Sequence, residues 1–235
     1  MIVSINQPAY LPWPGYFDRI KKADLHIVLD HVQFEKNSMT NRNKIKTPQG
    51  WTWLTVPVKT KGKFKDCPIS ELEINETVKW THKHWQGIKS NYSKAPYFRD
   101  HENFFKEVYE KDWILLNDIL TETNDYFNNQ LDIKTECVTS TSLKPEETKS
   151  NLILELCRKV SATQYISGPL GRDYLDREAF NKAGIEVLFH DYQYPEYPQQ
   201  HGDFEPFMSV IDLLFNCGPE SAEILQNPPD CLKTE

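Results

Sequence analysis

At 235 residues the chain is long enough to bury a core without disulfide or metal staples, as one large domain or two small ones. Its 34 acidic residues against 27 basic ones give a net charge of -7, which disfavours nonspecific binding to nucleic acid or to an anionic membrane. Five scattered cysteines (Cys67, Cys137, Cys157, Cys217, Cys231), with no C-x-x-C pair, argue against a disulfide framework or a zinc site. There is no basic leader before an apolar run, and no segment nears the roughly 18 apolar residues of a membrane span, so a soluble cytoplasmic protein is expected.

The opening stretch reads as a strand at 2–5, a polar turn, a brief helix, and a second strand at 25–29 ending in Asp30. In such a βαβ unit both strands end on the same sheet edge, which brings Asn6, Gln7 and Asp30 together. Pro8, Pro12 and Pro14 stiffen the turn, and Tyr10, Trp13 and Tyr16 surround it with rings. Two readings stand: a ligand-facing loop held rigid, or rings plugging the end of the sheet as ordinary core. In N-R-N-K-I-K-T, beginning at Asn41, alternation sends Arg42, Lys44 and Lys46 to one side. That strip is able to hold a diphosphate, or to protect an exposed edge strand by charge.

A turn at 48–50 leads to a strand at 51–58, a lysine-rich solvated tip at 59–66 and an extended piece at 69–74. Residues 79–130 turn helical, with helices expected at 80–93, stopped by Pro96, at 102–109 and at 113–127. This middle is either a subdomain or a lid. His82 and His84, two apart on a helix, make a poor metal pair. The last third alternates: extended at 133–139, helical at 146–160, extended at 163–167, helical at 174–183 and extended at 185–190, with Gly184 as a left-handed helix terminus. The expectation is a single α/β domain over 1–235, a mostly parallel sheet flanked by helices with the 79–130 segment inserted, and a frayed tail from Asn227.

Two further polar clusters fall at strand ends. In Y-I-S-G-P-L-G-R-D, Ser167 and Gly168 follow a strand, and Arg172 precedes a helix with Asp173 in its first turn. This is either an anion cradle or an N-cap with an exposed neighbour. His190 and Asp191 follow the next strand, placing His190 on the same edge as Ser167, Asn6 and Asp30 and making it a general-base candidate.

Taken together, QPAYLPWPGYF, the Asp30-His-Val-Gln-Phe segment that contains Gln33, NRNKIKT, WLTVPV, NYSKAPYF, YISGPLGRDYLD and FEPFMSVIDLLFNCG run in order along nearly the whole chain and resemble the WbqC-like protein family. The resemblance implies a bacterial protein encoded among genes for O-antigen or other surface polysaccharides, with a glycine transferase activity suggested for members. The family's opening motif usually reads His-Gln-Pro, where this chain has Asn6. Three functions follow. The first is acyl transfer to an aminosugar or sugar nucleotide, with His190 or Asp30 as base, the amides of Asn6 and Gln7 as donors, and Arg42 with Lys44 on phosphate. The second is nucleotidyl transfer by a HIGH-type nucleotide-binding enzyme. The third is non-catalytic carbohydrate binding by rings and amides. No resident cofactor is identified; an activated acyl donor or ATP enters as co-substrate, and the oligomeric state is not legible.

Overall fold

The computed structural model describes residues 1–60, 67–226 and 231–234. The apolar run after Met1 forms β1 (Ile2–Asn6), and the proline-stiffened loop delivers the chain to α1 (Pro14–Lys21) and then β2 (Leu25–Val28). A hairpin of β3 (Arg42–Thr47) and β4 (Gly50–Thr55) follows, then α2 (Trp80–Tyr92), α3 (Phe98–Glu110) and α4 (Leu116–Gln130). The last third contributes β5 (Glu136–Thr139), α5 (Ser140–Leu143), α6 (Lys149–Lys159), β6 (Gln164–Ser167), α7 (Arg177–Lys182), β7 (Glu186–His190), α8 (Val210–Cys217), α9 (Ser221–Ile224) and β8 (Leu232–Lys233).

Both chain ends build one six-stranded sheet in the order β5-β2-β1-β6-β7-β8. All strands run parallel except β8, so the fold is α/β with a mostly parallel sheet flanked by helices. Counted in chain order, the parallel strands stand third, second, first, fourth, fifth. The winding direction therefore reverses between β1 and β6, where open α/β sheets form a crevice outside the carboxyl ends of their strands.

Strand alternation sorts the two faces. Val3, Ile5, Leu25, Ile27, Tyr165, Val187 and Phe189 pack against Leu152, Leu156 and Phe180 of α6 and α7. Ser4, Asn6, His26, Ile166, Leu188 and His190 point to the other face, which α1 covers: Tyr16 meets the His26 ring edge-on and Asp18 reaches His190. Helices α2 to α4, the hairpin, the loop after β1 and α8 share a second apolar core that joins Tyr10, Ile45, Leu54, Phe98, Phe105, Phe127 and Phe215.

Several boundaries differ from the sequence reading, each for a local reason. Residues 69–74 are not a strand: Pro68 leads into a 3-10 turn at Ile69–Glu71, and only isolated bridges, Val58 to Ile74 and Glu73 to Leu115, remain. Helix α4 starts at Leu116 because Trp113 is held in the connection, its indole N–H donating to Val108 O at 2.8 Å. Helix α7 begins only at Arg177, capped by Asp176, whose carboxylate accepts from Ala179 N at 3.1 Å; Pro169–Asp173 is a separate 3-10 turn, so Asp173 is not in a first helical turn. The tail is not frayed at Leu232–Lys233, which pairs antiparallel with β7. Gly184, at φ +72°, follows the end of α7 as expected. Most of the lysine-rich tip, at 61–66, lies outside the described residues.

Helix α8 is buried along its whole length and carries one carboxylate, Asp212. Burial pushes the Asp212 carboxyl above its usual range, opposed by donors that converge on it: Tyr92 OH at 2.8 Å, Tyr197 OH at 2.9 Å and Gln199 Nε2 at 2.7 Å. Asp212 thereby fastens the segment after β7 to α2. Removing it strands buried donors, each at a cost of about 1–3 kcal/mol. Asp212→Ala should therefore lower the unfolding free energy by about 3 kcal/mol in urea titrations, and a loss below about 1 kcal/mol would contradict this role.

Candidate functional site at the carboxyl edge of the sheet

The loop after β1 is fixed from several sides. Tyr10 N donates to Met39 O at 3.1 Å, Asn43 Nδ2 to Leu11 O at 2.6 Å, and Val210 N to Pro12 O at 2.8 Å; Pro14 then opens α1. The loop sorts its rings. Tyr10 is wholly buried, its hydroxyl bonded to His84 Nδ1 and Tyr109 OH, and belongs to the core. Asn6, Gln7, Trp13 and Tyr16 instead line one cavity of about 150 Å³, together with Met39 and Thr40. Asn6 Nδ2 is buried there without a hydrogen-bond partner among the described residues.

Helix α1 buries every residue from Pro14 to Ile20, including two adjacent charges. Asp18 is compensated: Oδ1 takes Lys22 Nζ at 2.6 Å and Oδ2 takes His190 Nε2 at 2.7 Å. Cys231 completes a buried group whose ligand-type atoms lie within 4.8 Å of one another. Since the Lys22 ammonium already balances the carboxylate, this group has the chemistry of a hydrogen-bonded acid–base pair better than that of a cation site.

Arg19 is different. It forms no ion pair with any carboxylate among the described residues, its Nε has no hydrogen-bond partner, and burial lowers its pKa. Its guanidinium lies against Gly168, where any Cβ would collide with Nη1. Extending the β1–β6 register beyond Ser4 and Ile166 brings Gly168 opposite Asn6, so Arg19 stands at the switch point itself. Gly171 allows a second close approach, against Ser167 Oγ.

The remaining candidates serve nearby but separate places. Asp30 Oδ1 accepts from Ser140 Oγ at 2.9 Å, Thr141 N at 2.9 Å and Thr141 Oγ1 at 2.8 Å, tying the end of β2 to α5. Arg172 forms a bidentate pair with Asp191 at 2.9 and 3.0 Å, which holds the Asp191 carboxyl below its usual range. Gln33 Oε1 accepts from Cys67 N at 2.9 Å, and Asn41 Nδ2 donates to Val56 O at 2.7 Å. Arg42 stacks on Trp53 and Lys44 on Trp51, at 4.3 and 4.2 Å, along one face of the hairpin. Thus Asn6, Gln7, Trp13 and Tyr16 meet in one cavity, Gly168 lies across the switch point from Asn6, Ser167 turns with Tyr165 to the opposite face of the sheet, and His190 stands one strand further. Asp18, Arg19 and His26 were missed. D-R-I-K-K reads as the polar end of an amphipathic helix, and nothing local reveals that the sheet buries it.

An unpaired buried charge destabilises the fold that holds it. Arg19→Met, which keeps the length of the stem, should raise the unfolding free energy by about 1–3 kcal/mol in denaturant titrations. A loss of similar size would mean that the guanidinium is internally compensated.

The comparisons with known proteins name no reaction. The WbqC-like protein family model matches residues 7–224. An uncharacterised protein of Mycobacterium tuberculosis is 37% identical over 226 residues, covering 95% of this chain and 97% of its own. No solved structure matches. With the family model matched over residues 7–224 and a relative 37% identical across nearly the whole chain, the chain belongs to the WbqC-like protein family.

Proposed function

We propose that the protein is an aminoacyl transferase of bacterial surface-polysaccharide synthesis, which binds a sugar nucleotide across the β1/β6 switch point and joins glycine to an amine on its sugar. The observation that carries the substrate class is Arg19, a buried guanidinium with no carboxylate partner among the described residues, at the place where open α/β sheets bind ligands. A phosphate group supplies the missing charge, and a guanidinium matches its geometry. Arg19 thus takes the phosphate role that the sequence assigns to Arg42 and Lys44, whose cations lie on tryptophan rings.

In the reaction, the amine nitrogen attacks the acyl carbonyl carbon of an activated glycyl donor. A C–N bond forms, the donor's leaving group departs with its bonding electrons, and the amine gives up a proton. His190, oriented by Asp18, is the proton acceptor; Asp30, already accepting from Ser140 and Thr141, is less suited to the task. Asn6 Nδ2 is a donor for the carbonyl oxygen as negative charge develops on it. The acyl-transfer step itself rests on the family resemblance.

The strand order third-second-first-fourth-fifth favours a second reading, nucleotidyl transfer from ATP, because nucleotide-binding α/β sheets share it. Mass spectrometry of sugar nucleotides incubated with the protein, ATP and amino acids separates the two. A sugar nucleotide heavier by one glycyl group is expected, and His190→Ala should cut its formation by about 10²–10⁴ with an unchanged circular dichroism spectrum. Pyrophosphate release from ATP with no acylated sugar would replace acyl transfer by nucleotidyl transfer.

A further inference from the structure

Helix α4 presents two stripes. Leu116, Ile119, Leu120, Thr123 and Phe127 are buried, four of them in the apolar core that α4 shares with α2 and α3. Asn117, Thr121, Asn124, Asp125 and Asn128, also at helical spacing, line a cavity of about 220 Å³ beside the carboxyl halves of β2 and β5. His26 of β2 forms part of the opposite wall, and Tyr16 and Pro8 line both this cavity and the smaller one at Asn6, so the two adjoin.

Three buried atoms on these walls have no hydrogen-bond partner among the described residues: His26 Nε2, Asn124 Oδ1 and Asn128 Oδ1. The orientation of Asn124 is set, because its Nδ2 donates to Ala9 O at 3.4 Å, which leaves Oδ1 as an acceptor turned elsewhere. His26 is 1% exposed, its Nδ1 is 2.8 Å from Ser4 Oγ, and burial, helped by the Arg19 charge, pushes its pKa down to about 3. The ring is therefore neutral. Because the Ser4 hydroxyl can donate or accept, either tautomer is supported, and Nε2 serves as donor or acceptor.

These walls discriminate among ligands. No lysine or arginine lines the cavity and Asp125 does, so an anion is disfavoured. A purely apolar group would leave each polar atom desolvated at about 1–3 kcal/mol. Hydroxyl groups, which both donate and accept, satisfy amide oxygens and a tautomerically adaptable imidazole together. The volume suits a single ring and is too small for a nucleotide.

We infer that this cavity is a second subsite, which takes one neutral polyhydroxylated ring, a monosaccharide unit, through its hydroxyls. The inference rests on the sugar-nucleotide reading for the identity of the ligand. It places the sugar beside α4, with the phosphates at Arg19 and with Tyr16 and Asn6 between the two.

Cys137 provides a readout independent of turnover, since it lines the cavity and is exposed while the other four cysteines are buried. Its alkylation by iodoacetamide would be followed by mass spectrometry in the presence of glucose, galactose, N-acetylglucosamine or rhamnose. At least one of these should slow alkylation by about tenfold at ten times its dissociation constant. Asn124→Leu and Asn128→Leu should abolish that protection, whereas Arg19→Met should keep it. Should Asn124→Leu fail to fold, because its amide also holds the Ala9 carbonyl, Asn128→Leu makes the same test. Absence of protection by all four sugars, or undiminished protection in the Asn128→Leu variant, would overturn the subsite. The phosphate reading fails separately: pyrophosphate titrated by calorimetry should bind the wild type and not Arg19→Met, whatever happens at Cys137.

Discussion

Two neighbouring charges on a buried helix, one compensated and one without a carboxylate partner among the described residues, govern how the rest of this molecule is arranged. Asp18 and Arg19 enter the sheet face together because α1 is buried from its first proline onward. Asp18 gathers Lys22 and His190, and with them the carboxyl end of β7. This clamps a strand from the C-terminal part of the chain to a helix from the N-terminal part. Arg19 points its guanidinium at Gly168, where the absence of a side chain lets it sit between the ends of β1 and β6. The same burial that makes Asp18 an effective clamp makes an unpaired Arg19 expensive, and residues kept at a cost to stability concentrate where proteins bind and react.

The parallel sheet was legible because its strands are short apolar runs separated by helical patterns, and parallel strands must end on one edge. That rule alone correctly put Asn6, Ser167 and His190 on the same edge. It did not reveal Arg19. A residue on a crossover helix reaches the edge only through the angle at which that helix crosses the sheet, which is set by packing and leaves no periodic trace. Helix α1 also hides its own burial: Lys21, Lys22 and Asp24 surround it with the charges of a solvated helix end. The opposite error occurred at Asp173, where a Gly-bearing loop looked like the entry to a helix that begins only at Arg177. Strand β8 escaped notice because two residues carry too little pattern to register.

The aromatic turn resolves into both of its readings. Tyr10 is core, wedged between α2 and α3 with its hydroxyl satisfied by His84 and Tyr109. Tyr16 is a partition between two cavities, touching Trp13, Phe17 and His26 edge-on. Stiffness serves each purpose, since a ring that divides two cavities must be held by an anchored loop, and Tyr10 is that anchor. The polar stripe of α4 has a similar logic. A helix packed over a sheet ordinarily shows it apolar residues, so amides at 117, 124 and 128 mark a place where the fold forgoes hydrophobic burial.

Asn6 sets the division of labour at the edge. Its amide donates and accepts without titrating. Its Nδ2 is buried at the crevice without an acceptor among the described residues, so the position offers a donor that does not titrate. His26, one strand away on the same face, is neutral as well, because burial and the Arg19 charge push its pKa down to about 3. At the end of β7 the His190 imidazole is held instead by the Asp18 carboxylate, with Nε2 2.7 Å from Oδ2. The positive charge of Arg19 works in the other direction, favouring anionic groups beside it and disfavouring a second cation. That separation sets a guanidinium between β1 and β6 and a carboxylate-backed imidazole at β7 on one edge of the sheet.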